Sequence, residues 1–131
     1  MLATRQIRSL LNKLLIKLHL MNSVNYDYAK TVTGFFSPED SWENVFPTIL
    51  PQWDRTARVG KADGVYLSST PKKFQQHVEQ ACEIIKNKHP EHQVIILESW
   101  NEWAEGNYIE LDLKFGKKYI QALHSALNTQ K

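Results

Sequence analysis

The chain has 131 residues, enough for one small domain, with sixteen Lys plus Arg against fourteen Asp plus Glu and a formal charge of +2. That balance excludes a strongly basic nucleic-acid binder and an acidic solvating tail, and 42% apolar with 23% charged residues excludes wholesale disorder. A single cysteine, Cys82, excludes an internally stapled secreted scaffold and fits a reducing compartment, while no apolar run reaches the ~18 residues of a membrane-spanning helix.

From residue 5 to about residue 20, Ile7, Leu10, Leu11, Leu14, Leu15 and Leu18 recur at spacings of three and four, which predicts an amphipathic helix. Arg8 and Lys13 lead its other face, joined by Arg5, Asn12 and Lys17. Residues 1–30 set Arg5, Arg8, Lys13, Lys17 and Lys30 against Asp27 alone, a local charge of +4. A basic, acid-free start fits an organelle targeting segment, a peripheral contact with a membrane surface, or a surface helix of a larger fold. The absence of a small-residue cleavage site and of Ser-rich character favours the last. Residues 22–44 read as a connecting segment with a turn signal at Pro38, Glu39, Asp40 and Ser41. Residues 1–44 thus separate from an α/β part at 45–131.

Residues 45–50 predict a short irregular strand, broken by Pro47 and followed by Pro51. The polar loop 52–64 bunches Trp53, Asp54, Arg55, Thr56 and Arg58, as functional loops do. The next helix is the clearest element: Thr70 caps it, Pro71 opens it, and Phe74, Val78, Ala81, Cys82 and Ile85 make its stripe. Pro90 stops it near His89. Val94, Ile95, Ile96 and Leu97 predict a parallel strand buried on both faces. A last helix is expected over about 113–127, with Asp112 as cap and Phe115, Tyr119, Ala122, Leu123 and Ala126 inward. This alternation predicts an α/β fold with right-handed crossovers. Two buried parallel strands cannot make a sheet, so the expectation is that a partner completes it or that the chain is the C-terminal part of a larger domain.

In parallel α/β folds functional groups collect just past the C-terminal ends of the strands. Beyond 94–97 stand Glu98, Ser99, Trp100, Asn101, Glu102, Trp103, Ala104, Glu105 and Gly106. Glu102 and Glu105, three apart, can share one cleft from a single turn. Two carboxylates a few ångströms apart raise one another's proton affinity, so one serves as acid while the other stays ionised. Three Trp stand beside acids: Trp42 by Glu43, Trp53 by Asp54 and Trp103 by Glu102. Flat rings next to acids suit sugars, with Trp100 and Trp103 stacking and Asn101 binding a hydroxyl. The alternatives are a solvated acidic loop over packed Trp rings, and a hard-cation site. Asp54, Arg55 and Arg58 fit a hydroxyl or anion contact, or an intra-loop salt bridge. His19, His77, His89, His92 and His124 show no ligand spacing, with His77 and His124 reading as packing or surface residues. Cys82 reads as packing. There is no phosphate-cradling Gly-rich loop, and neither a cofactor nor a metal is indicated.

The stretch Trp100-Asn101-Glu102-Trp103-Ala104-Glu105-Gly106-Asn107-Tyr108-Ile109-Glu110, followed by Phe115-Gly116-Lys117-Lys118-Tyr119, resembles the C-terminal signature of the WbsX-type glycosyltransferase-like family. That family is related to the family 99 glycoside hydrolases, endo-acting α-mannosidases and mannanases. Pro51-Gln52-Trp53-Asp54-Arg55-Thr56-Ala57-Arg58 is similar to the same family's Pro-Gly-Trp-Asp-Asn-Thr-x-Arg element, and the helix start at Ser69, Thr70 and Pro71 sits where the family places it. The resemblance covers about residues 45–127. It implies that the chain is the C-terminal two to three β/α units of a (β/α)8 TIM barrel, incomplete as given, with the acidic motif after the eighth strand. It implies Glu102 and Glu105 as the catalytic pair. In the hydrolase relatives the first carboxylate helps the sugar's 2-hydroxyl attack the anomeric carbon, and the second is acid then base. Trp53, Asp54, Arg58, Trp100, Asn101, Trp103 and Glu110 are the expected sugar-binding set.

Three departures stand out: Ala104 where the hydrolases carry His, Leu111 for a usual Pro, and Arg55 for a usual Asn. The first weakens the case for hydrolysis. The resemblance further implies a cytoplasmic part in assembling bacterial surface polysaccharide such as lipopolysaccharide O-antigen, with a glycan or sugar donor as substrate. The alternatives are a retaining, 2-hydroxyl-assisted family 99-like endo-glycosidase and a non-catalytic sugar-binding remnant. The last goes with poor solubility and no activity for the isolated chain.

Overall fold

The computed structural model describes residues 2–18, 20–21 and 23–129; His19 and the Arg5 side chain lie outside what it describes. In chain order the elements are α1 (Leu2–Lys17), β1 (Ser23–Asp27), α2 (Tyr28–Val32), β2 (Thr48–Ile49), β3 (Trp53–Asp54), α3 (Thr56–Val59) and β4 (Ala62–Leu67). There follow α4 (Pro71–Ile85), β5 (Ile96–Leu97), β6 (Asn101–Glu102), β7 (Asn107–Tyr108) and α5 (Lys118–Asn128). Helices and short strands are thus mixed along the chain. Among the described residues three small sheets form: β1-β4-β3, β2-β5 and β6-β7.

Helix α4 forms for the reasons its sequence advertises. The Thr70 side chain accepts from the Lys73 N–H at 3.3 Å, and Pro71 takes the first turn, where its missing N–H costs nothing. Its stripe of Phe74, Val78, Ala81 and Cys82 packs on Tyr119, Ala122 and Ala126 of α5, with Ile49 and Ile109 completing the core. Around that core, buried hydroxyls hold the chain entering β3. The Tyr28 hydroxyl donates to the Leu50 carbonyl at 2.6 Å, and Ser69 Oγ donates to the Pro51 carbonyl at 2.5 Å while bonding the Tyr119 hydroxyl at 2.8 Å. Burial pushes the Tyr119 phenol up to about 12, so it stays a neutral hydrogen-bonding group. Lys88 Nζ donates to the Val45 carbonyl and ties the end of the α4 turn to the approach of β2.

Several elements differ from the sequence reading. Over 94–97 only Ile96–Leu97 pairs, in parallel with Thr48–Ile49. Ile95 and Leu97 pack on the core, but Val94 is 41% and Ile96 45% exposed. The strand is therefore covered on one face only, the face of Ile95 and Leu97 that meets the core. The last helix starts at Lys118, because Asp112 accepts from the Phe115 N–H and closes a turn that Gly116, at φ +56°, completes in the left-handed region. Asp112 caps that turn and not the helix, and Phe115 packs on the core from outside it. The polar segments 22–44 and 52–64 conceal strands: β1 runs parallel to β4 and β3 antiparallel to it. Pairing between β1 and β4 also links residues on either side of position 44. Helix α1 forms, yet Ile7, Leu10, Leu11, Leu14 and Leu18 are each more than half exposed. Among the described residues no helix is long and apolar enough to cross a membrane.

Candidate functional site

The acidic segment after β5 folds as a tight hairpin. Strands β6 and β7 pair Asn101 with Tyr108 and Glu102 with Asn107, and a 3₁₀ turn over Trp103–Glu105 joins them. Ser99 Oγ accepts from the Glu102 N–H at 2.9 Å, and the Ile109 N–H donates to the Trp100 carbonyl at 3.0 Å. Because Ile109 is fully buried, the hairpin base is anchored in the core. The Trp103 ring stacks on Tyr108 with centroids 3.7 Å apart and an interplanar angle of 18°. Its indole Nε1 donates to Glu110 Oε2 at 3.0 Å, which fixes the ring's orientation. Trp100 is 52% and Trp103 48% exposed, so these rings are presented to solvent and are not packed beneath the acids.

The loop after β3 meets this hairpin. Asp54 Oδ1 accepts from the Thr56 N–H at 2.9 Å and from Thr56 Oγ1 at 2.5 Å, which shapes the entry to α3. From α3, Arg58 Nη1 donates to Glu105 Oε1 at 2.9 Å. The guanidinium is mostly exposed and the carboxylate mostly buried. Arg58 thus pairs across to the other loop. Glu102, in β6, is exposed. The geometry places an acid, an ion-paired acid and two open indole rings on one short hairpin, with Asn101 in its first strand.

Gly106 makes the meeting of the two loops close. It sits at φ +56°, and a Cβ there would lie 2.8 Å from the Asp54 carbonyl oxygen and 3.1 Å from the Asp54 nitrogen. Backbone on both sides leaves nothing flexible to yield. Gly106→Ala is therefore expected to cost about 1–3 kcal/mol, from the left-handed conformation and from separating the loops. The urea midpoint checks it, and an unchanged midpoint would contradict the close approach.

Of the residues singled out from sequence, Trp53 and Asp54 line a cavity of about 270 Å³ that also takes in Gly106 and Tyr108. Glu102, Glu105, Trp100, Asn101 and Trp103 do not line it. The sequence reading named Tyr108, Gly106 and Ser99 in this segment without giving them a role; a Gly between two flanking aromatic positions was the available hairpin signal. The Trp42–Glu43 pair serves another purpose. Glu43 bonds His92 Nδ1 at 2.6 Å and the His89 N–H at 3.2 Å, and the His92 bond holds its carboxyl below the usual range. His124 bonds Asn128, and Cys82 is buried on α4, where burial pushes its thiol up. Among the described residues no group of three His, Cys, Asp or Glu side chains is arranged to hold a metal ion.

Comparison with known proteins gives the chain its relatives. The uncharacterized protein WxcX of Xanthomonas campestris pv. campestris, in each of two strains, is 27% identical over 84 residues, covering 63% of this chain and 12% of the relative. The matched stretch is thus about an eighth of the length of those relatives. No solved structure matches. The profile of the family described as Glycosyltransferase WbsX matches residues 2–123, nearly the whole chain, which therefore belongs to the WbsX glycosyltransferase family.

Proposed function

We propose that this chain carries the acidic loop of a glycosyltransferase-like protein that assembles bacterial surface polysaccharide, such as lipopolysaccharide O-antigen, in the cytoplasm. The single observation that carries the reading is the convergence of the two loops, through Arg58 on Glu105 at 2.9 Å and Gly106 against Asp54, next to exposed indole rings. Family membership supports a sugar substrate. We read the elements as the last β/α units of a (β/α)8 barrel. The parallel pairing of β2 with β5, the intervening α4 and the position of the hairpin directly after β5 support that reading.

In the proposed transfer, an acceptor hydroxyl oxygen bonds to the anomeric carbon of a bound sugar. The bond from that carbon to the leaving oxygen breaks, and the leaving oxygen keeps the electron pair. Glu105 takes the proton that the acceptor hydroxyl gives up as its oxygen bonds to the carbon, and Glu102 accepts a hydrogen bond from the sugar's 2-hydroxyl. Trp100 and Trp103 supply apolar surface for the ring faces, with Asn101 and Glu110 for hydroxyls. The test incubates the purified protein with nucleotide sugars and an oligosaccharide acceptor and weighs the products. Gain of one glycosyl residue by the acceptor supports the reading. Release of reducing ends from α-mannan would replace it with hydrolysis, and sugar binding without turnover would replace it with a binding role.

A further inference from the structure

Beside the hairpin, the cavity of about 270 Å³ lies between the chain at Gln52–Asp54, the end of β4 and the turn after β7. We propose that it is a subsite for one neutral sugar ring, separate from the Trp100 and Trp103 surface beside the two glutamates. The proposal rests on the carbohydrate reading above and assigns new residues to it: Gln52, Tyr66, Ser68, Tyr108, Asp112 and Lys114.

Size sets the first limit. The volume falls just under the ~300–1,000 Å³ of pockets for drug-sized ligands, so one ring fits and a nucleotide sugar does not. Chemistry sets the second. Gln52 lines the cavity, and its side-chain Nε2 is buried with no acceptor among the described residues. Such a donor is costly to leave unmet, and its last torsion is a soft one about which the amide can turn to meet a sugar hydroxyl. Charge sets the third. Two carboxylates, Asp54 and Asp112, face one ammonium, Lys114, whose Nζ sits 4.9 Å from the Phe115 ring centroid. With Lys73 Nζ on the lining Ser68 carbonyl, the wall carries no net positive charge; its carboxylates accept from hydroxyls, and a phosphate or uronate meets no net attraction.

The wall is also held in shape. Ser68 adopts φ +62°, rare for a residue with a side chain, and its carbonyl accepts from Lys73 Nζ at 2.9 Å. Tyr108 links this cavity to the hairpin: Trp103 covers one of its faces, and Tyr108 itself lines the cavity. The stack therefore joins the cavity wall to a Trp103 ring that is 48% exposed, and neighbouring residues of one glycan can span the two.

The test titrates the purified chain with methyl glycosides of glucose, mannose and galactose, and with methyl glucuronide as the anionic probe. Saturation-transfer NMR and tryptophan fluorescence report binding. The neutral glycosides are expected to bind with Kd on the order of 1 mM, and the glucuronide about tenfold or more weaker. Gln52→Leu should weaken neutral binding about tenfold with Tm unchanged or raised, because it removes a donor that has no partner. Leu67→Trp, at a cavity-lining position that is 45% exposed, should fill the space and weaken binding similarly. Binding that survives both substitutions would overturn the subsite while leaving the transfer reading to its own assay. Equal or tighter glucuronide binding would overturn the neutral class, and no binding of any neutral glycoside would overturn the proposal outright.

Discussion

Glu105→Gln is expected to lower glycosyl transfer by about 10²–10⁴-fold, the usual range for loss of a general acid–base group. Gln keeps the size and hydrogen-bonding reach of Glu but can neither give nor take the proton. Its structural cost is small, because the Arg58 partner is mostly exposed and such pairs contribute at most about 1 kcal/mol. Activity and stability should therefore separate: product formation collapses while the urea midpoint barely moves. Glu102→Gln should likewise cut turnover, with no ion pair to lose among those found in the described residues. Parent-like turnover in the Glu105 variant would remove this residue from the chemistry.

The second large effect concerns acid stability and centres on His77. Its ring is fully buried, stacks on Phe36 at 4.9 Å and 20°, and meets the edges of Phe35 and Tyr28. Neither ring nitrogen has a hydrogen-bond partner among the described residues, and burial pushes its pKa down to about 4 from 6.5. Tyr28 stays neutral, since burial raises its phenol; Lys73, Glu79 and Glu83 line the adjacent groove. A folded-state pKa below the unfolded value favours the fold above pH 6.5, and that contribution is lost as pH falls toward 4. The loss amounts to about 3 kcal/mol, at ~1.4 kcal/mol for each pH unit between 6.5 and about 4. Urea midpoints between pH 7 and 4.5 should fall steeply for the parent and much less for His77→Phe, which keeps the stack and cannot take a proton. Parallel curves for the two proteins would contradict it.

Helix α4 was legible because its cap, opening Pro, apolar stripe and stop signal all lie within about twenty residues. The acidic segment stood out by composition and not as a hairpin, since two-residue strands carry no periodicity. Strands β1 and β4 escaped notice for a related reason. Ser23-Val24-Asn25-Tyr26-Asp27 is polar, and Gly64 sits within β4; each is a strand because the other pairs with it some forty residues away. The partner of Arg58 was equally beyond local reading, 47 residues along the chain. Asp112 misled because one side chain suits either a helix cap or a tight turn, and the left-handed Gly116 decides for the turn.

If residues 52–59 and 99–110 form one carbohydrate site, as proposed, hydrogen exchange of the backbone amides will slow in both segments at the same concentration of an added oligosaccharide, with the core amides of α4 unchanged. Protection confined to one segment, or appearing instead in the groove between α2 and α4, would contradict it.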